Sequence, residues 1–226
     1  ERENRAGLAP DAPNRNYRDA NHKPEILCAL TAFRAMCGFR APRNIIPLLD
    51  ALGMAELEPC RRSLDAASEE EALKGFLLEL FAIPADGRIG LTERIGRRAR
   101  ELADENSAHR REWTMAADFA RLYPGDPSII APLYLNVLDL KPGEAVYLPA
   151  GILHAYVEGF GVELMANSDN VLRGGLTPKH VDLDELVRVL RFEAHSPSVL
   201  GADAPATGAY VYETPAAEFA LARLAR

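Results

Sequence analysis

Three side chains that can bind a metal ion or transfer protons lie close together near the start of the chain. They are His22, Lys23 and Glu25, in the run Asn21-His22-Lys23-Pro24-Glu25. Pro24 restricts the residue before it to an extended conformation, so successive side chains alternate in direction. Lys23 and Glu25 are therefore predicted to point to one side and His22 to the other. Spacing alone leaves two interpretations open: a functional cluster, or a surface loop that holds these residues by chance.

A fourth candidate, His154, lies at the end of a regular pattern. Gly143, Pro149, Gly151 and His154 occur in the order Gly, five residues, Pro, any residue, Gly, two residues, His. This order resembles the second sequence motif of the cupin superfamily, which implies a strand, a tight turn and a returning strand whose histidine points into a barrel. The motif usually continues to an Asn, where this chain has Glu158. A lone histidine in a strand is more often a satisfied core residue, but inside this pattern we interpret His154 as a metal ligand.

A polar loop at residues 166–179 contains the fifth candidate, Arg173. Gly174 and Gly175 follow it, so the backbone can bend there and a substrate can approach closely. The alternative is a connecting loop, with solvated charges, that leads to a helix at Asp182.

Two kinds of periodicity predict the elements that position these residues. Residues 42–123 show helical spacing, and Ser68 with Glu71 forms a capping box before one apolar stripe. Asn44 is predicted to cap the first helix of this region, and Asp182 with Glu185 to begin a later one. Short strands separated by Gly and Pro turns favour an antiparallel sandwich or barrel. The predicted strands are residues 26–33, 133–140, 145–148, 154–157 and 162–165, with more strand from residue 208 onward.

Composition excludes several classes of function. The formal net charge is −7 and there is no long basic run, whereas nucleic acid or an anionic membrane would require a basic patch. No apolar stretch approaches the roughly 20 residues of a membrane-spanning helix, and we expect no signal peptide. The three cysteines, Cys28, Cys37 and Cys60, are irregularly spaced. We therefore expect a cytoplasmic protein with reduced thiols.

Four segments together resemble type I mannose-6-phosphate isomerase (phosphomannose isomerase), a family within the cupin superfamily. They are residues 16–25, 37–40, 149–156 and 167–173. Their order along the chain matches the family, as does the helical region between the second and the third. The resemblance covers almost the whole chain and weakens in the helical region and in the last thirty or so residues.

The resemblance implies a mixed α and β fold: a cupin-type antiparallel β jelly roll with an inserted α-helical subdomain and part of a second cupin-like domain. Residues 1–41 would belong to the catalytic cupin domain and residues 42–128 to the helical insertion. Residues 129–181 would complete the catalytic domain with its metal and substrate loop. Residues 182–226 would form a linker helix and the start of a C-terminal cupin-like domain. Because the chain begins at Glu1 and ends in a strand-like run, we expect an internal fragment lacking both ends.

The family holds one zinc ion with a Gln, two His and a Glu. Carried over by resemblance, Glu25 and His154 are two of these ligands. The other two belong to a Gln-x-His segment that is expected upstream of Glu1, and the chain contains no Gln. The resemblance therefore implies that these 226 residues alone bind zinc weakly and are inactive.

The resemblance also implies roles for the remaining candidates. Arg173 matches the family's catalytic arginine, and His22 and Lys23 become candidates for ring opening and proton transfer. Three further residues are placed in the substrate pocket: Tyr156, Asp169 and Lys179.

The implied activity is interconversion of mannose-6-phosphate and fructose-6-phosphate through an enediol, which feeds mannose metabolism and GDP-mannose synthesis. The implied partner is a small sugar phosphate, with no nucleic acid and no membrane, and the oligomeric state stays open. Two alternatives remain. One is a non-catalytic cupin that binds a sugar or a metal, and the other is a related cupin isomerase that acts on a different phosphosugar.

Overall fold

The computed structural model describes residues 2–5, 7–9, 12, 15–105, 108–201, 205 and 207–225. The outer bounds of the predicted domains, residues 1 and 226, lie outside these ranges. The helices are α1 (Arg2–Arg5), α2 (Pro42–Leu52), α3 (Glu58–Ser63), α4 (Glu69–Ala82), α5 (Arg88–Asp104), α6 (Arg110–Leu122), α7 (Ala131–Tyr134) and α8 (Leu183–Val189). The strands are β1 (Glu25–Ala29), β2 (Phe33–Phe39), β3 (Leu135–Leu140), β4 (Ala145–Leu148), β5 (His154–Glu158), β6 (Gly161–Met165), β7 (Val199–Leu200), β8 (Gly208–Tyr212) and β9 (Leu221–Ala225).

The strands form three antiparallel sheets, so the fold is mixed α and β with a helical segment. The first sheet has the order β6-β1-β4-β7, the second β3-β2-β5 and the third β8-β9. Within the described ranges these sheets do not close into a jelly roll. No helix in the same ranges combines the length and the apolar character needed to cross a membrane.

The first two sheets pack face to face around an apolar core. Leu27 and Ala29 of β1 meet Ala35 and Cys37 of β2 in this core. The alternate residues of β1 point to the opposite face, where they contact the third sheet. Both faces of β1 are therefore covered, which explains why the four residues after Glu25 are apolar instead of alternating with polar ones.

The prediction of one strand over residues 26–33 is wrong. β1 ends at Ala29 and β2 begins at Phe33, and the two strands belong to different sheets. Leu30, in the turn between them, is 49% exposed. The predicted strand over residues 133–140 also starts later, at Leu135, because the residues before it form α7.

The helical segment leaves the second sheet after Phe39 and returns at Leu135, and these two residues are register partners on adjacent strands. Its core is built on large side chains that include Phe76 and Trp113. The predicted cap at Ser68 is confirmed, because its side chain accepts a hydrogen bond from the backbone N–H of Glu71 at 3.2 Å, which is the serine half of the predicted capping box.

The predicted Asn44 cap is wrong. α2 begins two residues earlier, at Pro42, and Ala41 occupies the N-cap position without a side-chain hydrogen bond. Proline suits the first turn of a helix because it has no N–H to satisfy. At the other end of α2, Gly53 adopts a left-handed conformation with φ 63°, as expected for a residue that ends a helix.

Glu112 joins the helical segment to the sheets. This α6 residue is buried, and its Oε1 atom accepts hydrogen bonds from Arg40 at 2.8 Å and from Arg111 at 2.9 Å. Arg111 also donates to Asp139 of β3 at 2.7 Å. Burial alone raises the pKa of Glu112, but the hydrogen bonds and charges of the two arginines lower it below its ordinary value of 4.5.

We expect Glu112→Ala to lower the free energy of unfolding by about 3 kcal/mol at neutral pH, because it leaves the guanidinium of Arg40, whose side chain is only 13% exposed, without its carboxylate. A lowered folded-state pKa means that the contribution is complete above pH 4.5 and declines as acid titrates the folded carboxylate. The difference between variant and parent should therefore shrink at acid pH. Urea unfolding of both proteins at several pH values measures this difference in the free energy of unfolding. Glu58→Ala, at an exposed ion pair, should change stability by less than about 0.5 kcal/mol, and an equal effect of both variants would contradict this account.

Candidate functional site

Glu25 and His154 meet because each begins a strand and each faces the space between the first two sheets. Glu25 lies on the same face of β1 as Leu27, and His154 is the register partner of Cys37, so both follow the inward-facing rows. The carboxylate Oε2 of Glu25 lies 3.2 Å from Nε2 of His154. Two residues far apart in sequence thus place a carboxylate and an imidazole at one point.

A tight turn places His154 at this point. Gly151 has φ 85°, and a Cβ atom there would lie 2.8 Å from the backbone oxygen of Val189, so both the conformation and the space require glycine. The turn carries the chain from β4 of the first sheet to β5 of the second. Nδ1 of His154 lies 2.9 Å from the carbonyl oxygen of Ile152. Since a carbonyl can only accept, Nδ1 carries the hydrogen and Nε2 faces Glu25.

The charges of this pair depend on each other. Burial alone raises the pKa of Glu25, but the hydrogen bonds and charges of His154 and Lys23 outweigh it and lower the pKa to about 2. Burial opposes protonation of His154, but the Glu25 carboxylate and the Ile152 carbonyl favour it, and the pKa of the imidazole is raised. A buried carboxylate with this environment is an anion that attracts cations.

Lys23 supplies one such cation. Its Nζ atom lies 3.0 Å from Oε1 of Glu25, so the two side chains point to the same side, as the sequence predicts. His22 differs: its side chain is 66% exposed, and its Nε2 lies 2.5 Å from the carboxylate of Glu218. The carboxylate that pairs with His22 therefore comes from the chain between β8 and β9.

A cavity of about 530 Å³ brings most of the candidates together. His22, Lys23, Glu25, His154 and Arg173 all line it. The loop that carries the arginine is half-buried, and no carboxylate of the described residues pairs with its guanidinium. The cavity thus combines a buried anion with a cation that is open to a ligand.

The three predicted substrate residues lie elsewhere. Tyr156 lines a neighbouring cavity of about 410 Å³, which also contacts His154. Burial raises the pKa of Tyr156, and the hydrogen bond that its hydroxyl donates to Glu163 at 2.6 Å raises it further. Asp169 and Lys179 are exposed and line neither cavity. The roles of these residues stay predictions.

Sequence reasoning gave no site role to several polar residues that line the larger cavity, among them Tyr17, Glu163 and Asn170. Glu163 is the register partner of Leu27 on the edge strand β6, so it lies on the same side of the sheet as Glu25. Glu163 is the single charged residue in the otherwise apolar run at residues 162–165, and this was the sequence signal that could have identified it. Tyr17 and Asn170 lie within segments that were recognised, but nothing in their spacing distinguished them.

Glu25 and His154 are suitable zinc ligands, but two ligands do not complete a zinc site. Carboxylate oxygen and imidazole nitrogen are both zinc ligands, and a histidine ligand usually donates its other N–H to a carbonyl, as His154 does. A structural or catalytic zinc needs at least three protein ligands. No group of three or more His, Cys, Asp or Glu side chains able to hold a metal occurs within the described ranges.

This arrangement can position a small anionic ligand. A polar cavity with a buried carboxylate, an imidazole, an ammonium and a guanidinium that pairs with no carboxylate in the described part of the chain has the groups needed to move protons and to stabilise negative charge. The cysteines take no part, since all three are buried and burial raises the pKa of Cys37 and of Cys60 to about 12.

Sequence comparison points to one family. Residues 2–42 match the family model described as phosphomannose isomerase type I, catalytic domain. The mannose-6-phosphate isomerase of Escherichia coli (strain K12) is 40% identical over 197 residues, which cover 85% of this chain and 47% of the relative. The probable mannose-6-phosphate isomerase of Caenorhabditis elegans is 35% identical over 187 residues, covering 79% of this chain and 44% of the relative.

Solved structures agree with the sequence comparison. The mannose 6-phosphate isomerase of Salmonella typhimurium bound to substrate (fructose-6-phosphate) and zinc is similar to this chain with a TM-score of 0.81 and 33% identity, covering 98% of this chain and 55% of that one. A zinc-bound holo mannose 6-phosphate isomerase is similar with a TM-score of 0.80 and 34% identity, at the same coverage. The chain spans about half the length of the relatives it matches. In sequence and in fold, this chain is therefore similar to about half of a mannose-6-phosphate isomerase, and residues 2–42 match the catalytic domain of the type I phosphomannose isomerase family.

Proposed function

We propose that the protein carrying this chain is a zinc-dependent aldose–ketose isomerase that interconverts mannose-6-phosphate and fructose-6-phosphate. One observation carries the proposal: Glu25 and His154 meet at 3.2 Å in a cavity that Lys23 and Arg173 also line. The Salmonella typhimurium relative bound to fructose-6-phosphate and zinc supports the same substrate and metal. The product would enter mannose metabolism and GDP-mannose synthesis.

The zinc would be held by Glu25 and His154, together with ligands from outside the described residues. When bound, zinc polarises a substrate oxygen and stabilises the negative charge that develops on it. The other residues of the chain orient these two ligands. The Ile152 carbonyl fixes the imidazole tautomer, and Lys23 holds the other carboxylate oxygen of Glu25 at 3.0 Å.

The reaction moves a carbonyl between C1 and C2 of the sugar. A proton leaves one carbon and returns to its neighbour, through an enediol whose oxygens develop negative charge. Arg173 faces the cavity without a carboxylate partner among the described residues, so its guanidinium can stabilise that charge. His22 and Lys23 are the candidates for ring opening and proton transfer, and a positioned acid or base contributes roughly 10²–10⁴ in rate.

Substrate recognition needs local positive charge in an acidic protein. Lys23 and Arg173 line the cavity and can bind anionic oxygens. Lys179 lies outside both cavities, so its contact with a phosphate would require the loop at residues 174–180 to move inward. Tyr156 would contribute through the neighbouring cavity, beside His154.

We also propose that residues 1–41 and 129–181 form one catalytic domain, part of a cupin-type jelly roll. The pairing of β1 with β4 and β6, and of β2 with β3 and β5, supports this grouping. Residues 42–128 would be the helical insertion within that domain. Residues 182–226 would be the linker helix and the start of a second cupin-like domain, to which the separate β8-β9 sheet would belong.

The test is to measure zinc content and isomerisation of mannose-6-phosphate in the full-length protein. Bound zinc with conversion to fructose-6-phosphate is the expected result. Zinc without turnover of any phosphosugar would replace the proposal with a non-catalytic metal- or sugar-binding cupin. Turnover of a different phosphosugar, with mannose-6-phosphate inert, would place the protein among related cupin isomerases.

A further inference from the structure

Asp19 joins two loops that are far apart in sequence. Its Oδ2 atom accepts a hydrogen bond from the backbone N–H of Asp169 at 2.8 Å. Its Oδ1 atom accepts from the hydroxyl of Ser168 at 3.0 Å, from the side-chain amide of Asn170 at 3.2 Å and from the backbone N–H of Asn21 at 2.8 Å. One carboxylate therefore serves four donors, three of which lie about 150 residues away.

Asn170, in the second loop, forms hydrogen bonds with the backbone of the first loop. Its side-chain oxygen accepts from the backbone N–H groups of Arg18 at 2.8 Å and of Asp19 at 3.2 Å. Its amide group donates to the carbonyl oxygen of Asn21 at 3.0 Å. The side chain of Asn21 in turn donates to the carbonyl oxygen of Asn167 at 2.8 Å. We call these bonds, between residues 18–21 and residues 167–170, the loop bridge.

The loop bridge lies directly before two of the cavity residues. Lys23 follows residues 18–21, and Arg173 follows residues 167–170. Asp19 itself does not line the cavity. The hydrogen bond from the Asp169 N–H and those from the other donors lower the pKa of Asp19, so the side chain is a carboxylate at neutral pH.

From this geometry we infer that Asp19 is a positioning residue of the active site: through the loop bridge it sets the position of Arg173 relative to Lys23 and Glu25. This inference rests on the proposed isomerase function and adds a residue that acts without contact with the substrate. Both loops lack helix or strand geometry. Backbone hydrogen bonds join their flanks, from the N–H of Val171 to the carbonyl of Asn16 at 3.4 Å and from the N–H of Ala166 to the carbonyl of Pro24 at 3.1 Å. Between these flanks, the hydrogen bonds of the loop bridge use side chains and set the relative position of the two loops. A displacement of about 1 Å at a reacting group can cost about 10² in rate.

Asp19→Asn tests the inference with a minimal change in shape. One carboxylate oxygen becomes an NH₂ group, which cannot accept a hydrogen bond. In either orientation of the amide it faces a backbone N–H, that of Asp169 or that of Asn21, donor to donor. In the full-length zinc-loaded protein we expect kcat to fall by about 10- to 100-fold. We expect KM to change less than kcat, and zinc content to stay unchanged. Asp86→Asn, at an exposed aspartate in the turn before α5, is the matched control and should leave kcat at the parent value.

A double-mutant cycle separates positioning from general destabilisation. If Asp19 acts through Arg173, then Asp19→Asn in an Arg173→Ala background should lower kcat little further. Equal effects of Asp19→Asn in both backgrounds would mean that its role is only structural and would overturn the inference. Hydrogen exchange gives a second readout. Amides of residues 167–173 should exchange faster in Asp19→Asn, whereas faster exchange confined to residues 18–21 would also overturn it.

The outcomes distinguish this inference from the proposed function. Parent protein without isomerase activity would remove the proposed function and this inference with it. Active parent protein with an equally active Asp19→Asn variant would remove only the inference. Should Asp19→Asn fail to fold, Ser168→Ala removes a single donor of the loop bridge. A smaller loss of kcat in Ser168→Ala would support the inference, and an unchanged kcat would overturn it.

Discussion

Glu25→Gln should remove zinc and isomerase activity together. Glutamine keeps the size of the side chain but loses the negative charge that attracts the metal, and it places a donor where an oxygen now faces His154 at 3.2 Å. Even residues behind the ligands cost 10- to 100-fold in metal affinity when they are changed, so a ligand should cost at least about 10²-fold. Zinc titration monitored by a competing chelator, with turnover measured on the same samples, checks this result.

Two controls make the Glu25 result specific. Glu58→Gln makes the same chemical change at an exposed glutamate of α3 and should leave zinc affinity and turnover at the parent values. The melting temperature of Glu25→Gln shows whether its zinc-free form is folded, since the substitution also leaves Lys23 without its carboxylate. A folded Glu25→Gln protein that holds zinc as tightly as the parent would contradict the ligand assignment.

Arg173→Ala should lower kcat by about 10²–10³-fold while zinc stays bound. Removing one group that stabilises a developing oxyanion costs about that factor. Zinc should remain because no hydrogen bond or ion pair among the described residues links Arg173 to Glu25 or His154. Steady-state kinetics on zinc-saturated protein, with metal content measured in parallel, gives both quantities.

Matched variants sharpen the Arg173 prediction. Arg173→Lys keeps the charge but not the planar fork of donors, so we expect it to recover only part of the lost rate. Arg62→Ala removes an exposed arginine of α3 and should leave kcat unchanged. Loss of zinc in Arg173→Ala would mean that the arginine holds the site together, and its assignment as a catalytic residue would then be wrong.

Local signals in the sequence were sufficient for several elements. Ser68 and Asp182 each accept a hydrogen bond from the backbone N–H three residues later, as a capping box predicts. Gly53 and Gly151 take the positive φ values that their places in the pattern require. Each of these features is decided by neighbours within a few residues, and that is why the sequence reveals it.

The misplaced strand boundaries have a different cause. β1 is buried on both faces, so its apolar residues continue without alternation into the turn at Leu30. Periodicity marks a turn only where one face of a strand is exposed. The third sheet, which covers the second face of β1, is formed by residues 208–225 and lies beyond any local window.

Some residues of the candidate site could be predicted from the sequence, but their geometry could not. Motifs singled out Glu25, His154 and Arg173, yet the register of β1 with β6 is what brings Glu163 to the same side of the sheet. The loop bridge around Asp19 depends on pairing at a separation of about 150 residues, which no local pattern encodes.

The helical segment, residues 40–134, begins and ends at neighbouring positions of one sheet, because Phe39 and Leu135 are register partners. In topological terms it is the greatly enlarged loop of a single β-hairpin between β2 and β3. Evolution can lengthen, shorten or exchange such a loop while the strands on either side keep their pairing. The chemistry of this fold and the size of the proteins that carry it can therefore diverge independently.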